Sequence, residues 1–550
     1  MLSQFGKTVV VLEQHEVVGG GAHQFAVNGK SKWRFDAGLH FTVPQHELLL
    51  QVACGAAKPP VPCSILGEAD GTHDRIALGA FDEAEPKFAI AGDEQMKRSL
   101  CERFPRHAEQ ITNYLNLAQS VQLRFALWVA SALLPMSFRL WLLRSPLMSL
   151  WRKWASVTTA EAMKALIPGD DEETKKLRAF MTGLWLDTGS PPTRMSFWMQ
   201  TAVFGGFQKL GVGYPVGGPQ EMALAMVEAI ESRGGAVFVR TAVSSILMAG
   251  TKVAGVQLAN GVTLKAARVV SGLGYRTTLK LLPQAATPSR PLATQQACGF
   301  VMANIALNGS ADELGITNAN LWLQPATPRN HYDVFGGIDA FMEAPLKVGV
   351  EGMPMGITFP SLKDASWEAK HPGTHCCQIL VPISWAHFEK YYIEPSTCES
   401  SRHAPPHVGR ANQAEYDAIK REWEAKLVSA LNHHFPKTVS KLEFCDISTP
   451  LTIENYLRSG YGTAIGLDVT PARFVEPEEV EQLDMKYARL PGLWLAGQDA
   501  LMCGQVCAAA GGMLCALRML GPLRWLQFAV RAVRLLLPAL LTPPKMMKHD

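Results

Sequence analysis

Several familiar signatures are absent from this 550-residue chain, and each absence removes a class of function. The 11 cysteines are odd in number and scattered, with no C-x-x-C. No disulfide framework is indicated, and a reducing compartment or cytosolic face suits this usage. Cys503, Cys507 and Cys515 fall at near-helical spacing in an Ala/Gly-rich stretch and read as buried small hydrophobes. The 15 histidines include no H-E-x-x-H, and His433-His434 reads as a helix end, so no metal is expected. No G-x-S-x-G occurs, which leaves a serine hydrolase without support. Charged residues make up only 18% of the chain, against about 25% in typical domains. The net charge of +3 is too small to argue for nucleic acid, and there is no RNA-binding aromatic motif, zinc-finger spacing or tandem repeat. No signal or transit peptide is readable at Met1.

What is present centres on residues 7–40. Thr8 to Leu12 is a short apolar, β-branched run of the kind that forms a buried strand, and it ends in Glu13. An acid at the end of the second strand of a nucleotide-binding βαβ unit accepts hydrogen bonds from ribose hydroxyls. Gly19, Gly20 and Gly21 follow. Glycines there let backbone approach a pyrophosphate and point N–H groups at it. The strand and acid alone fit an ordinary strand-and-turn equally well. The run Phe35-Asp36-Ala37-Gly38-Leu39-His40 tips the balance towards a flavin site.

The whole stretch resembles the dinucleotide-binding segment of the FAD-dependent amine-oxidase and phytoene-desaturase superfamily. More narrowly, LEQHEVVGGGAHQF with FDAGLH resembles the retinol saturases (all-trans-retinol 13,14-reductases). So do YPVGGPQEMA (214–223), TFPSLKDASWE (358–368), STPLTIENYL (448–457) and GLWLAGQDALMCG (492–504). The resemblance implies an α/β, two-domain, glutathione-reductase-like Rossmann fold with an α+β substrate domain. It implies FAD held by Glu13, Gly19, Gly20, Gly21, Asp36, Gly38, Val243, Gly497 and Asp499, with NAD(P)H as a possible electron donor. It further implies an oxidoreductase working on a carbon–carbon double bond of a hydrophobic polyene, as in all-trans-retinol to 13,14-dihydroretinol. A carotenoid isomerase or phytoene-type desaturase shares the same features, and a non-catalytic isoprenoid-binding protein is the alternative from another class. His40, which ends the FDAGLH run, is the candidate catalytic polar group; a buried, hydrogen-bonded histidine is the plainer reading.

Two departures stand out. The family opens with a strand and G-x-G-x-x-G, and here both are missing, as is most of the first helix. A truncated gene model or fragment is therefore expected. The family's Asn-Ala before Gly274 is replaced by Gly272-Leu273.

In chain order, FAD-binding parts are expected over 1–75, 206–290 and 446–520. Substrate parts are expected over 76–205 and 291–445, with an apolar, basic tail over 521–550. Gln95 to Leu117 reads as one helix, Glu415 to His433 as another, and Pro395 to Arg410 as an exposed loop. Asn260-Gly261 signals a hairpin. Trp185, Phe197, Trp198, Phe204 and Phe207 either line a polyene channel or form ordinary core. Residues 121–154 carry five basic side chains and four tryptophans without an acid. Their longest uncharged span, Phe125 to Phe138, is shorter than the ~20 apolar residues that cross a bilayer. They read as a segment in the membrane interface or as a buried helical hairpin roofing a cavity. The tail reads as a second interfacial anchor or a packed helix. A membrane-associated protein of the endoplasmic reticulum or plastid membrane is the expectation.

Overall fold

The computed structural model describes residues 1–79, 87–394 and 409–541. The loop expected at Pro395 to Arg410 falls almost wholly outside them. Of that stretch, Gly409–Arg410 is described, as a short strand pairing with Tyr392–Ile393.

Strands near the N-terminus find their partners far along the chain. Val10–Leu12 runs parallel to Ala236–Phe238, and Val269–Ser271 runs parallel to Leu493–Leu495. Between these pairs lies a three-stranded meander of Val243–Ala249, Lys252–Leu258 and Thr263–Lys265. Its hairpin turns at Asn260-Gly261, where Gly261 takes φ +85 and the Leu258 amide donates to Val262 O. Three segments distant in sequence thus build the nucleotide-type layer. The helices Gln220–Glu231 and Gln505–Leu520 belong to the same segments.

The second layer is a seven-stranded mixed sheet. Its order is Leu442–Ser448, Gly299–Asn308, Thr374–Ile383, Met355–Thr358, Asn320–Gln324, Asp74–Leu78 and Phe88–Ile90. Gly299–Asn308 and Thr374–Ile383 are paired along ten residues and are buried almost throughout. That explains their near-continuous apolar runs in place of alternation. The helix Gln413–His434 covers part of the sheet with Tyr416, Trp423, Leu427, Ala430 and Leu431, all buried at helical spacing. His433-His434 ends it.

The helix expected over Gln95 to Leu117 is two helices, Asp93–Arg103 and Ala108–Gln122. The break falls at Phe104-Pro105, because proline has no N–H to donate to the preceding turn. The 121–154 stretch forms three short helices, Phe125–Ser131, Met136–Arg144 and Ser149–Ala155. Its tryptophans divide. Trp128 and Trp151 are buried edge-on against Trp198, with ring centroids 4.8 and 5.6 Å away, while Trp141 is 68% exposed. Trp185, Phe197, Trp198 and Phe204 are fully buried, as core residues are. The tail forms the helix Pro522–Leu541, which packs against helices His46–Cys54 and Gln505–Leu520. Among the described residues no helix is long and apolar enough to cross a membrane.

Candidate active site

The glycine segment after the first strand is shaped by close backbone approach. Gly19 takes φ +118, and a Cβ there would come within 3.2 Å of the Ala223 Cβ on helix Gln220–Glu231. Gly38 lies against the same segment, since a Cβ on it would sit 3.2 Å from Gly21 O. Gly20 and Gly21 instead have nothing within 4 Å of where their side chains would be. Glu13 sits where two segments cross. Its amide donates to Phe238 O (2.8 Å), its carbonyl accepts from the Thr241 amide (2.7 Å), and its carboxylate accepts from the His15 amide (2.8 Å). Val243 opens the meander two residues after Thr241 and is half-buried. The structure therefore sets Glu13 at the end of the parallel pair, two residues in sequence from Val243 through its Thr241 partner, and packs Gly38 on Gly21 and Gly19 on Ala223.

Gly497 and Asp499 belong to a second cluster at the end of strand Leu493–Leu495. Gly497 faces Gly272, whose carbonyl lies 3.9 Å from the position a Gly497 Cβ would take. Asp499 is buried, and it accepts from the Tyr275 amide (2.7 Å) and the Leu467 amide (2.9 Å). It caps the helix Tyr275–Lys280 and not the glycine-rich helix that follows it. Arg473 adds hydrogen bonds to the carbonyls of Leu467 (2.7 Å) and Gln498 (2.8 Å). Asp499 is thus a staple joining three loops. The two clusters flank one apolar core, against which Leu12, Phe41, Val269 and Ala496 all pack.

Asp36 is fully buried, and both of its carboxylate oxygens are occupied within the fold. Gln24 Nε2 donates to one (2.9 Å) and the Tyr214 hydroxyl to the other (2.7 Å). Gln378 Nε2 donates to the Asp36 carbonyl (2.9 Å) and to Asn304 Oδ1 (2.8 Å), which carries the network into the large sheet. Burial pushes the Asp36 carboxyl up to about 7, against the opposing pull of these two donors. Its side chain ties the FDAGLH run to the rest of the molecule.

Both ring nitrogens of His40 are buried, and neither has a hydrogen-bond partner. Burial, helped by the nearby Lys363 cation, lowers its basicity to about 3, so the imidazole is neutral. Lys363 is also fully buried. Its ammonium donates to His40 O (2.7 Å), Asn320 Oδ1 (2.5 Å) and Thr358 Oγ1 (2.6 Å). Burial brings it down to about 8, while the carboxylates of Asp74, Asp36 and Asp187 pull it upward. Asp74 accepts from Asn320, from the Trp322 indole (2.7 Å) and from His73 (2.8 Å). Asp187 leaves one carboxylate oxygen unpaired, and burial, with the nearby Asp74 carboxylate, raises it well above its ordinary value. Sequence reasoning missed Lys363, Asp74 and Asp187. The only trace was Lys363 inside TFPSLKDASWE, where nothing marks a lysine as buried.

A flavin nucleotide fits the backbone present at these clusters. Gly20, Gly21 and Gly272 leave open space where side chains would stand, and helix Gln505–Leu520 begins at Gly504 without a side-chain cap.

No family model matches the chain. It is similar to the all-trans-retinol 13,14-reductase of Macaca fascicularis, 26% identical over 535 residues, or 94% of this chain and 82% of that protein. An inactive all-trans-retinol 13,14-reductase of Danio rerio is 24% identical with the same coverage. Putrescine oxidase bound to putrescine shares the fold with a TM-score of 0.56 at 13% identity, covering 94% of this chain and 95% of that one. The chain shares the architecture of that enzyme, a mixed helix-and-sheet fold.

Proposed function

We propose that this chain, similar over 94% of its length to all-trans-retinol 13,14-reductases, is a flavin-dependent oxidoreductase that saturates a carbon–carbon double bond of a hydrophobic retinoid or related polyene. The single observation carrying this reading is that length of similarity, which spans both layers of the fold. FAD, when bound, supplies the hydride chemistry. Glu13 would meet the adenosine ribose, Gly20 and Gly21 would meet phosphate through backbone N–H groups, and Gly272 and Gly497 would let the dinucleotide lie close. Asp499 and Asp36 hold those loops in register. His40 supplies a neutral hydrogen-bonding edge in a dry setting, and the buried aromatic cluster around Trp198 keeps water out. The polyene is drawn from a membrane surface.

The test is stoichiometric. The protein is incubated anaerobically with chemically reduced FAD and all-trans-retinol, and the product is weighed by mass spectrometry. A gain of two hydrogens per turnover, with FAD oxidised in step, is the expected result. Product of unchanged mass with flavin still reduced would identify an isomerase. The similarity to a protein named inactive reductase favours a second reading, a non-catalytic isoprenoid binder. FAD and retinol both bound without turnover would select it.

A further inference from the structure

Buried polar groups converge on the end of the FDAGLH run. His40 ends the FDAGLH run, and Lys363 follows the strand Met355–Thr358 in the large sheet. Their contact, Lys363 Nζ to His40 O at 2.7 Å, joins the two layers of the fold. All three ammonium protons of Lys363 are committed, to His40, Asn320 and Thr358. Lys363 therefore has no proton free for a ligand, and its influence is exerted through position and charge. His40 is the opposite case, with both ring nitrogens buried and unpaired. A buried polar atom without a partner costs roughly 1–3 kcal/mol, so a ring carrying two such atoms is expensive unless something meets them.

We propose that Lys363 is the positioning residue of this site: it clamps the His40 carbonyl and so holds the imidazole, both of whose nitrogens are unpaired, where it presents one N–H and one lone pair to an uncharged ligand edge. The complementary chemistry is a neutral group that both donates and accepts. A hydroxyl at the end of a polyene has it, and so does the imide edge of a flavin ring. The groups acting on the pair from the surrounding elements are Asp36, Asp74 (paired with His73) and Asp187. Burial raises both Asp187 and Asp36, the latter to about 7. The identity of the ligand rests on the flavin–polyene reading, whereas the state of the His40 ring does not.

The experiment is a pH titration of the full chain carrying ¹³C,¹⁵N-labelled histidine, with the His40 signals assigned by their loss in His40→Gln. In the ligand-free protein the ring is expected to stay neutral to below pH 5. In Lys363→Gln, which removes the charge but can still donate, its protonation is expected to move upward by at least one pH unit. Lys363→Arg should hold it low, which separates charge from general disruption of the fold. A ring that charges near pH 6.5 in the unaltered protein, or the same titration in Lys363→Gln and the unaltered protein, would overturn the proposal. The ligand arms follow. FAD alone shifting the ring nitrogen signals names the flavin edge, and all-trans-retinol alone shifting them names the hydroxyl. If both bind elsewhere and neither moves the signals, the ligand role of His40 is refuted while the flavin–polyene reading stands.

Discussion

Asp36 and His40 lie four residues apart in one run, and the polar side-chain atoms of both are buried, yet they are opposites. Asp36 has a donor on each carboxylate oxygen, and its neighbours Gln24, Tyr214, Gln378 and Asn304 carry the network into the large sheet. His40 has no donor or acceptor on either nitrogen. A satisfied buried polar group fixes structure, and removing one partner strands the others. An unsatisfied one contributes little to the fold and is retained for another reason. Asp499, which accepts from Tyr275 and Leu467, belongs with Asp36. Asp187, with a free oxygen, belongs with His40.

The largest effects should come from breaking the satisfied set. Asp36→Ala leaves the Tyr214 hydroxyl and the Gln24 amide without acceptors in a dry interior. A loss of about 2–4 kcal/mol is expected, read as a lower urea midpoint with an unchanged slope. Asp499→Ala should cost about 2–3 kcal/mol by freeing the Tyr275 and Leu467 amides, and it should weaken FAD binding as the loops lose their register. Asp36 also gives a pH signature. Its carboxyl is raised in the folded protein, to about 7, so folding favours the protonated form. The stability it confers is complete below about pH 4, the ordinary carboxylate range, and is lost as pH rises through about 7. Subtracting the Asp36→Asn stability curve from that of the unaltered protein should isolate a decline across that window. A flat difference would show the carboxyl to be unperturbed.

Breaking the unsatisfied group should give the reverse pattern. His40→Leu removes two unpaired polar atoms while keeping apolar bulk, so stability should hold within about 1 kcal/mol or rise. Turnover of reduced FAD with retinol should fall by about 10–100-fold, the range of a lost polar contact to reacting groups. If His40→Leu instead destabilises as much as Asp36→Ala, the contrast between the two residues is false, and His40 is a structural histidine.

These contrasts also show how far sequence could reach. The strand at Val10–Leu12, the Asn260-Gly261 hairpin and the helices at 220–231, 413–434 and 505–520 rest on local periodicity and turn chemistry, which a sequence displays directly. The break at Pro105 lay within reach too, but the apolar spacing on either side of it masked the stop. What sequence could not supply was the pairing of segments hundreds of residues apart, such as Val10–Leu12 with Ala236–Phe238. Nor could it supply the state of a side chain set by such pairing. The FDAGLH run drew notice to Asp36 and His40 alike, and nothing in the string says that one is saturated and the other bare. Lys363 is the clearest case, since lysine is ordinarily a surface residue. Only the meeting of Asn320, Thr358 and the His40 carbonyl gives its ammonium a buried seat.

The smallest effect on stability should come from the surface, where the 121–154 stretch divides within itself. Trp128 and Trp151 turn inward onto Trp198, whereas Phe138 and Trp141 on helix Met136–Arg144 stand 62% and 68% exposed. The tail helix does the same, with Leu523 and Leu526 at 90% and 71%, while Arg531 reaches back to Gln4 O (3.0 Å). Large apolar side chains held outward among arginines, with no acid in either segment, suit a surface that dips into lipid headgroups. Exposed side chains contribute little to folding, so the pair Trp141→Ser and Leu526→Ser should leave the urea midpoint within about 0.5 kcal/mol. Binding to vesicles containing one-third phosphatidylserine should fall several-fold, measured by flotation. High salt alone should weaken that binding only in part, because the apolar contribution is not screened. Undiminished flotation of the double variant would place the lipid contact elsewhere, and no flotation of the unaltered protein would remove the membrane from the proposed function altogether.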